Sequence, residues 1–240
     1  MSCFFVRAKC AVGLAILSSI VLTGCTSLAE KQSERISTEG SAASNSERKA
    51  VTLAYDCEQG FHFIASIESD SNGASAWVFL PGETVKLPVV VSASGAKFSN
   101  GKITYWSSKD EALLEYNGKE YKQCKVNRKQ SIWEDAKLRG VDFRAVGNEP
   151  GWTLEIRNSE QILFVTNYGQ DRYTFTAPEP VSNAATGSTE YKASADGNTL
   201  LVTLEGKRCD DTMADDESYP TTVTIQFDGR HYMGCGMPLH

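Results

Sequence analysis

From residue 50 onward, apolar and polar positions alternate in short stretches. Phe61, Phe63, Ala65 and Ile67 alternate with polar neighbours, and Val85, Leu87, Val89 and Val91 repeat the pattern. A period of two means strands with one buried face. Pro81-Gly82 and Asn117-Gly118 are turn dipeptides, and the second is a strong hairpin signal. Pro88 inside a strand indicates an edge or a bulge. Many short strands with such turns predict a small antiparallel barrel or sandwich over residues 50–130. Residues 131–140 read as a single short helix, with Ser131 and Glu134 as a capping box and Gly140 as the stop. Beyond it the pattern returns to strands: Trp152, Leu154 and Ile156 alternate, Leu200 to Leu204 is an apolar run, and Asp196-Gly197 and Asp228-Gly229 are hairpin turns. Residues 178–190, poor in large apolar side chains, read as a loop. The fold class is all-β, with a barrel-like module at 50–130 and a second β-rich domain at 131–240, joined by the helix.

The first 49 residues follow neither pattern. Arg7 and Lys9 precede a 12-residue apolar run, Ala11 to Leu22. A bilayer span takes roughly 20 residues, so the run reads as the core of a signal peptide covering residues 1–24. It ends in Leu22-Thr23-Gly24-Cys25, which resembles a bacterial lipoprotein signal with Cys25 as the lipid attachment point. Thr26 stands where an aspartate would favour retention at the inner membrane, so the expected address is the outer membrane, with the body facing the periplasm. Residues 26–49 hold six serines, four acids, four bases and no aromatic residue. Such a segment buries too little to fold alone. Residues 25–49 are therefore expected to be a flexible tether reaching roughly 25–30 Å.

Composition narrows the function. With 22% charged and 41% apolar residues in 240, the chain is neither collagen-like, wholly disordered nor a multi-pass membrane protein. A net charge of −6 argues against a nucleic-acid partner, which would need a basic face. The charge is uneven: residues 50–130 hold nine acids and nine bases, residues 131–240 hold 17 acids and nine bases. Seven cysteines are present. Cys3 and Cys10 leave with the signal and Cys25 goes to lipid, which leaves Cys57, Cys124, Cys209 and Cys235. An even number in an exported protein indicates two disulfides, and proximity favours Cys57–Cys124 and Cys209–Cys235. No cofactor or metal is expected. His231, Met233, Cys235, Met237 and His240 could suggest copper, but a disulfide at Cys235 and packed methionines account for them. His62 reads as a surface residue. The chain has no GxSxG, HExxH, Walker loop or dinucleotide fingerprint, and no carboxylate pair is marked out by spacing. The chain is not expected to be an enzyme.

One stretch carries a resemblance. Ser94-Gly95-Ala96-Lys97-Phe98-Ser99-Asn100-Gly101, then Tyr105-Trp106-Ser107-Ser108-Lys109-Asp110-Glu111-Ala112, is similar to the signature of the membrane-bound inhibitors of c-type lysozyme. Tyr55-Asp56-Cys57 and Tyr121-Lys122-Gln123-Cys124 match that family's ends, so the resemblance covers about residues 51–126. It implies an eight-stranded antiparallel barrel and a c-type lysozyme partner, blocked by a loop that enters the cleft. One carboxyl of that cleft works protonated and the other ionised. A serine hydroxyl can donate to one and accept from the other, which assigns that role to Ser94. Gly95 would permit the tight turn, and Phe98 stands where the family usually has tyrosine. The family usually reads Trp-x-Lys-Gly-Asp-Glu-Ala, its lysine pairing with a catalytic carboxylate. Here Ser108 occupies the lysine position and Lys109 the glycine position, and the lysozyme-contacting residues that the resemblance implies are Ser94, Gly95, Phe98, Ser108 and Lys109.

The second module, from Trp133 through Gly147-Asn148-Glu149-Pro150-Gly151-Trp152 to the tail around Cys209 and Gly234-Cys235-Gly236, resembles an uncharacterised envelope-lipoprotein domain, which supplies no chemistry. Its acids Asp210, Asp211, Asp215, Asp216 and Glu217 lack EF-hand spacing and read as a solvated loop rather than a calcium site. The expected function is inhibition of c-type lysozyme by a lipid-anchored protein. The alternatives are an envelope lipoprotein that binds cell-wall material or another envelope protein, and a glycan-active enzyme.

Overall fold

The computed structural model describes residues 50–71, 73–211 and 217–240. The signal segment, Cys25, the tether, Asp215 and Asp216 lie outside the described residues.

Eight strands form the first body: β1 (Val51–Asp56), β2 (His62–Asp70), β3 (Gly73–Leu80), β4 (Glu83–Val90), β5 (Ala96–Ser99), β6 (Thr104–Ser108), β7 (Glu111–Tyr116) and β8 (Lys119–Asn127). Each pairs antiparallel with the next, and β8 returns to β1 to close a barrel. Alternation makes this possible, because side chains of one parity fill the interior. Phe63, Ala65, Val78, Leu87, Phe98, Tyr105 and Leu114 are buried there. The Tyr55 and Tyr105 hydroxyls meet at 2.9 Å within this core. Burial pushes both phenols above the ordinary tyrosine pKa. The expected hairpin at Asn117-Gly118 has left-handed φ of 51° and 71°. Pro88 lies opposite Ser75 of β3, whereas β4 first meets β5 at Val89, so the missing N–H falls where β4 is locally an edge.

The helix α1 (Arg128–Leu138) begins three residues earlier than its expected capping box. Asn127, the extended end of β8, is the N-cap and accepts from the Gln130 N–H at 2.9 Å. Ser131 instead sits buried inside the helix. It donates to the Asn127 carbonyl and accepts from the Ala54 N–H at 2.9 Å, satisfying a backbone donor of β1. Gly140, φ +79°, ends the helix as expected.

The second body is one antiparallel sheet of nine strands: β9 (Phe143–Asn148), β10 (Gly151–Arg157), β11 (Gln161–Thr166), β12 (Asp171–Thr176), β13 (Val181–Asn183), β14 (Ser188–Ala195), β15 (Asn198–Glu205), β18 (Thr221–Phe227) and β19 (Arg230–Pro238), with β16 (Cys209–Asp211) and β17 (Glu217–Tyr219) as a separate ribbon. Its order is β12-β11-β10-β9-β19-β18-β15-β14-β13. Phe164 of β11 packs on Phe227 of β18 at 5.4 Å although three strands separate them in that order, so the sheet curls and its concave face is the core. The expected loop at 178–190 contains β13 and the start of β14. Every residue of β13 is exposed and none packs into the core, so no apolar alternation reveals it. Gly147 and Gly234 admit the buried Trp152 indole, since ideal Cβ atoms there would lie 2.2 and 2.7 Å from it. Glu149–Pro150, in the hairpin before Trp152, is a cis peptide.

Cys57 is bonded to Cys124 and Cys209 to Cys235, the expected pairs. The end of α1 is tied to the sheet by charge. Arg139 donates to both Glu155 oxygens at 3.0 Å, and buried Arg144 donates to Glu155 from β9 and lies 5.5 Å from the Trp133 ring.

Candidate protein-binding site at the barrel rim

In an up-and-down meander successive turns alternate between the two barrel ends. The β4–β5 loop (91–95) and the β6–β7 turn (109–110) therefore share one end, and the pairing of β5 with β6 makes them neighbours. Ala96 faces Ser107, which places Gly95 opposite Ser108. An ideal Cβ on Gly95 would lie 2.3 Å from the Ser107 carbonyl oxygen and 3.2 Å from Ser108 Cβ, and its φ is +67°. Close backbone approach and left-handed conformation each require glycine here. Ser92 Oγ donates to the Gly95 carbonyl at 3.1 Å and closes the turn.

Ser94 stands exposed at the loop tip. Its carbonyl accepts from Trp106 Nε1 at 2.8 Å, whereas its hydroxyl has no partner among the described residues. Spacing alone gives Trp106 no role. The signal that could have found it is its place on the strand paired with the loop's own strand, which lets an indole N–H reach back across the register. Lys97 Nζ lies 5.3 Å from the Trp106 ring centroid, adding a cation–π contact on the outer face.

Lys109 occupies the turn with φ +56°, exposed and without an ion pair among the described residues. The next residue is held firmly: Asp110 accepts from Arg128 at 2.7 and 2.8 Å, and its carbonyl accepts from the Val126 N–H at 2.9 Å. Beside the turn is an open groove of about 580 Å³ lined by Trp106, Ser108, Lys109, Glu111, Lys122 and Gln123. Lys122 is paired with Glu120 at 2.7 Å, which raises its pKa through that hydrogen bond. Lys97, over the Trp106 ring, and Lys109, in the neighbouring turn, remain as cations of the rim. The rim thus offers an unpaired hydroxyl and two positive charges, a set suited to carboxyl groups on a partner.

The structure brings together Ser94, Gly95, Ser108 and Lys109. Phe98 does not belong with them. It is 1% exposed and stacked on Tyr105 at 5.8 Å, because it faces inward one register step from the loop. Its role is to pack beneath the strand, which corrects its expected place among the contact residues.

The sequence of this barrel was compared with those of known families. Residues 55–123 match the family described as membrane-bound lysozyme-inhibitor of c-type lysozyme. The match runs from β1 to β8 and includes both rim turns. It ends before α1, so the family gives no account of the nine-stranded sheet. Neither a curated protein nor a solved structure shows significant similarity to the chain.

Of the remaining candidates, His62, Asp210 and Asp211 are engaged locally, whereas Met233, expected to pack, is exposed. His62 is exposed, its Nδ1 2.8 Å from Asp56 Oδ1. Asp210 accepts from Arg208 at 2.8 Å and Asp211 from Asn148 at 3.0 Å. No described helix is long and apolar enough to cross a membrane.

Proposed function

We propose that the barrel inhibits c-type lysozyme by lodging the 91–95 loop and the 108–110 turn in the active-site cleft. The observation that carries this reading is the close approach of Gly95 to Ser107 and Ser108, which brings the Ser94 loop beside the Lys109 turn on one rim. Ser94 donates to the ionised carboxylate and accepts from the protonated carboxyl. Lys109 and Lys97 stabilise the negative charge. The protein performs no chemistry; occupation of the cleft excludes glycan. The body is held by lipid on Cys25 at the outer membrane and faces the periplasm, where it protects cell wall from incoming lysozyme. The acidic 131–240 segment attracts basic lysozymes and speeds encounter.

Titration of the purified protein into a c-type lysozyme acting on cell walls tests the proposal. Stoichiometric loss of lysozyme activity is expected, with Ser94→Ala about tenfold weaker, the loss of hydrogen bonds to charged groups. Lysozyme activity unchanged at micromolar protein would refute it.

A further inference from the structure

Val85, Leu87 and Val89 lie on one face of β4, and Val91 continues their alternation in sequence just past the strand. Leu87 is fully buried, Val89 is 48% exposed and Val91 is 101% exposed. Val91 lies one residue beyond the end of β4. Val89 pairs with Phe98 and Val90 with Lys97, and beyond them the chain enters the turn closed by Ser92 and Gly95. A stripe of core-type residues thus overruns the last paired residues and emerges into solvent beside Ser94. No charge interrupts residues 87–96, although strand tips elsewhere in the barrel carry them, as at Glu83 and Glu111. Single exposed valines are ordinary. Two exposed valines at the end of β4, contiguous with a loop that offers an unpaired hydroxyl, form the apolar centre and polar rim of a binding surface.

We infer that Val89 and Val91 are the apolar anchor of the rim site and bear on an apolar wall of the lysozyme cleft beside its acid carboxyl. This rests on the inhibitor reading. The occupant follows from the enzyme's chemistry. A carboxyl that must stay protonated near neutral pH is kept so by apolar surroundings, lysozyme being the type case. A loop that brings a hydroxyl to that carboxyl also brings its flanks against the apolar wall. Val89 and Val91 supply the matching surface, and a charged residue there would be desolvated without a partner.

The test is a titration of lysozyme with the full protein carrying Val91→Ser, Val91→Leu or, as a remote control, Val181→Ser. Val91 is wholly exposed, so its substitution leaves the melting temperature unchanged. Val91→Ser is expected to weaken inhibition about tenfold through faster dissociation, the loss of a buried valine's contribution. Val181→Ser should inhibit like the wild type, and Val91→Leu, which keeps the apolar surface, should inhibit more tightly than Val91→Ser. If Ser94→Ala weakens inhibition and Val91→Ser does not, the anchor is refuted and the inhibitor reading stands. If the wild type does not inhibit, both fall. Sedimentation runs alongside: a dimer abolished by Val91→Ser with inhibition unaltered would make the patch a self-contact and overturn the inference.

Discussion

The exchange Ser108→Lys/Lys109→Gly restores the spacing of the inhibitor family within the rim turn, and its effects on binding and on folding separate. Lys109 is held at φ +56°. A non-glycine residue in that region costs roughly 1–2 kcal/mol, whereas glycine adopts it freely. Glycine also loses more freedom on folding, by roughly 0.4–1 kcal/mol. The net gain from Lys109→Gly is therefore about 0.5–1 kcal/mol, or a rise of a few degrees in melting temperature for a chain of this size. The lysine introduced at position 108 stands on an exposed site next to Gly95, so its ammonium reaches over the Ser94 loop. A charge-assisted bond to a carboxylate is worth about 1.5–3 kcal/mol, roughly ten- to hundredfold in affinity. The double variant should inhibit c-type lysozyme at least tenfold more tightly, and the gain should shrink with added salt. Lys109→Gly alone should melt higher and inhibit less well. Cell-wall lysis assays at low and high ionic strength, paired with thermal melts, decide the matter. A double variant that melts like the wild type and inhibits no better would refute the importance of lysine register. A lower melting temperature for Lys109→Gly would refute the reading of the turn.

Two further outcomes concern stability. Glu155→Gln should destabilise the protein by about 3 kcal/mol in denaturant melts, since it removes the only carboxylate paired with buried Arg144 among the described residues and one of the two paired with Arg139; a change under 1 kcal/mol would show that the network contributes little. Burial raises the pKa of Tyr55 and Tyr105, so the folded state keeps protons that the unfolded chain releases near pH 10. Their contribution is complete below about pH 10 and declines above it, by up to about 1.4 kcal/mol per pH unit for each tyrosine. Alkaline unfolding followed by tryptophan fluorescence should move to higher pH in Tyr55→Phe/Tyr105→Phe, and an unmoved midpoint would exclude the pair as its cause.

What could be read in advance was whatever local chemistry decides. Asn117-Gly118, Asp196-Gly197 and Asp228-Gly229 fix hairpins because their positive φ values admit few other residues, and each is a turn in the structure. Features decided by tertiary partners were not legible. Ser131 and Asn127 are both good caps; the unpaired Ala54 N–H takes the first, so the helix starts at the second. β13 has no buried face to give it a period. Depth was the main illegible quantity at the site. A period of two states which face a residue takes and not where the core stops, so Leu87, Val89 and Val91 look alike in sequence although the first is buried and the last is bare. Phe98 and Ser94, four residues apart in one motif, divide for the same reason. The register of β4 on β5 ends at Val90, Phe98 lies inside that limit, and Ser94 lies beyond it. The motif is thus half core and half contact surface, and cross-strand pairing decides which half each residue joins.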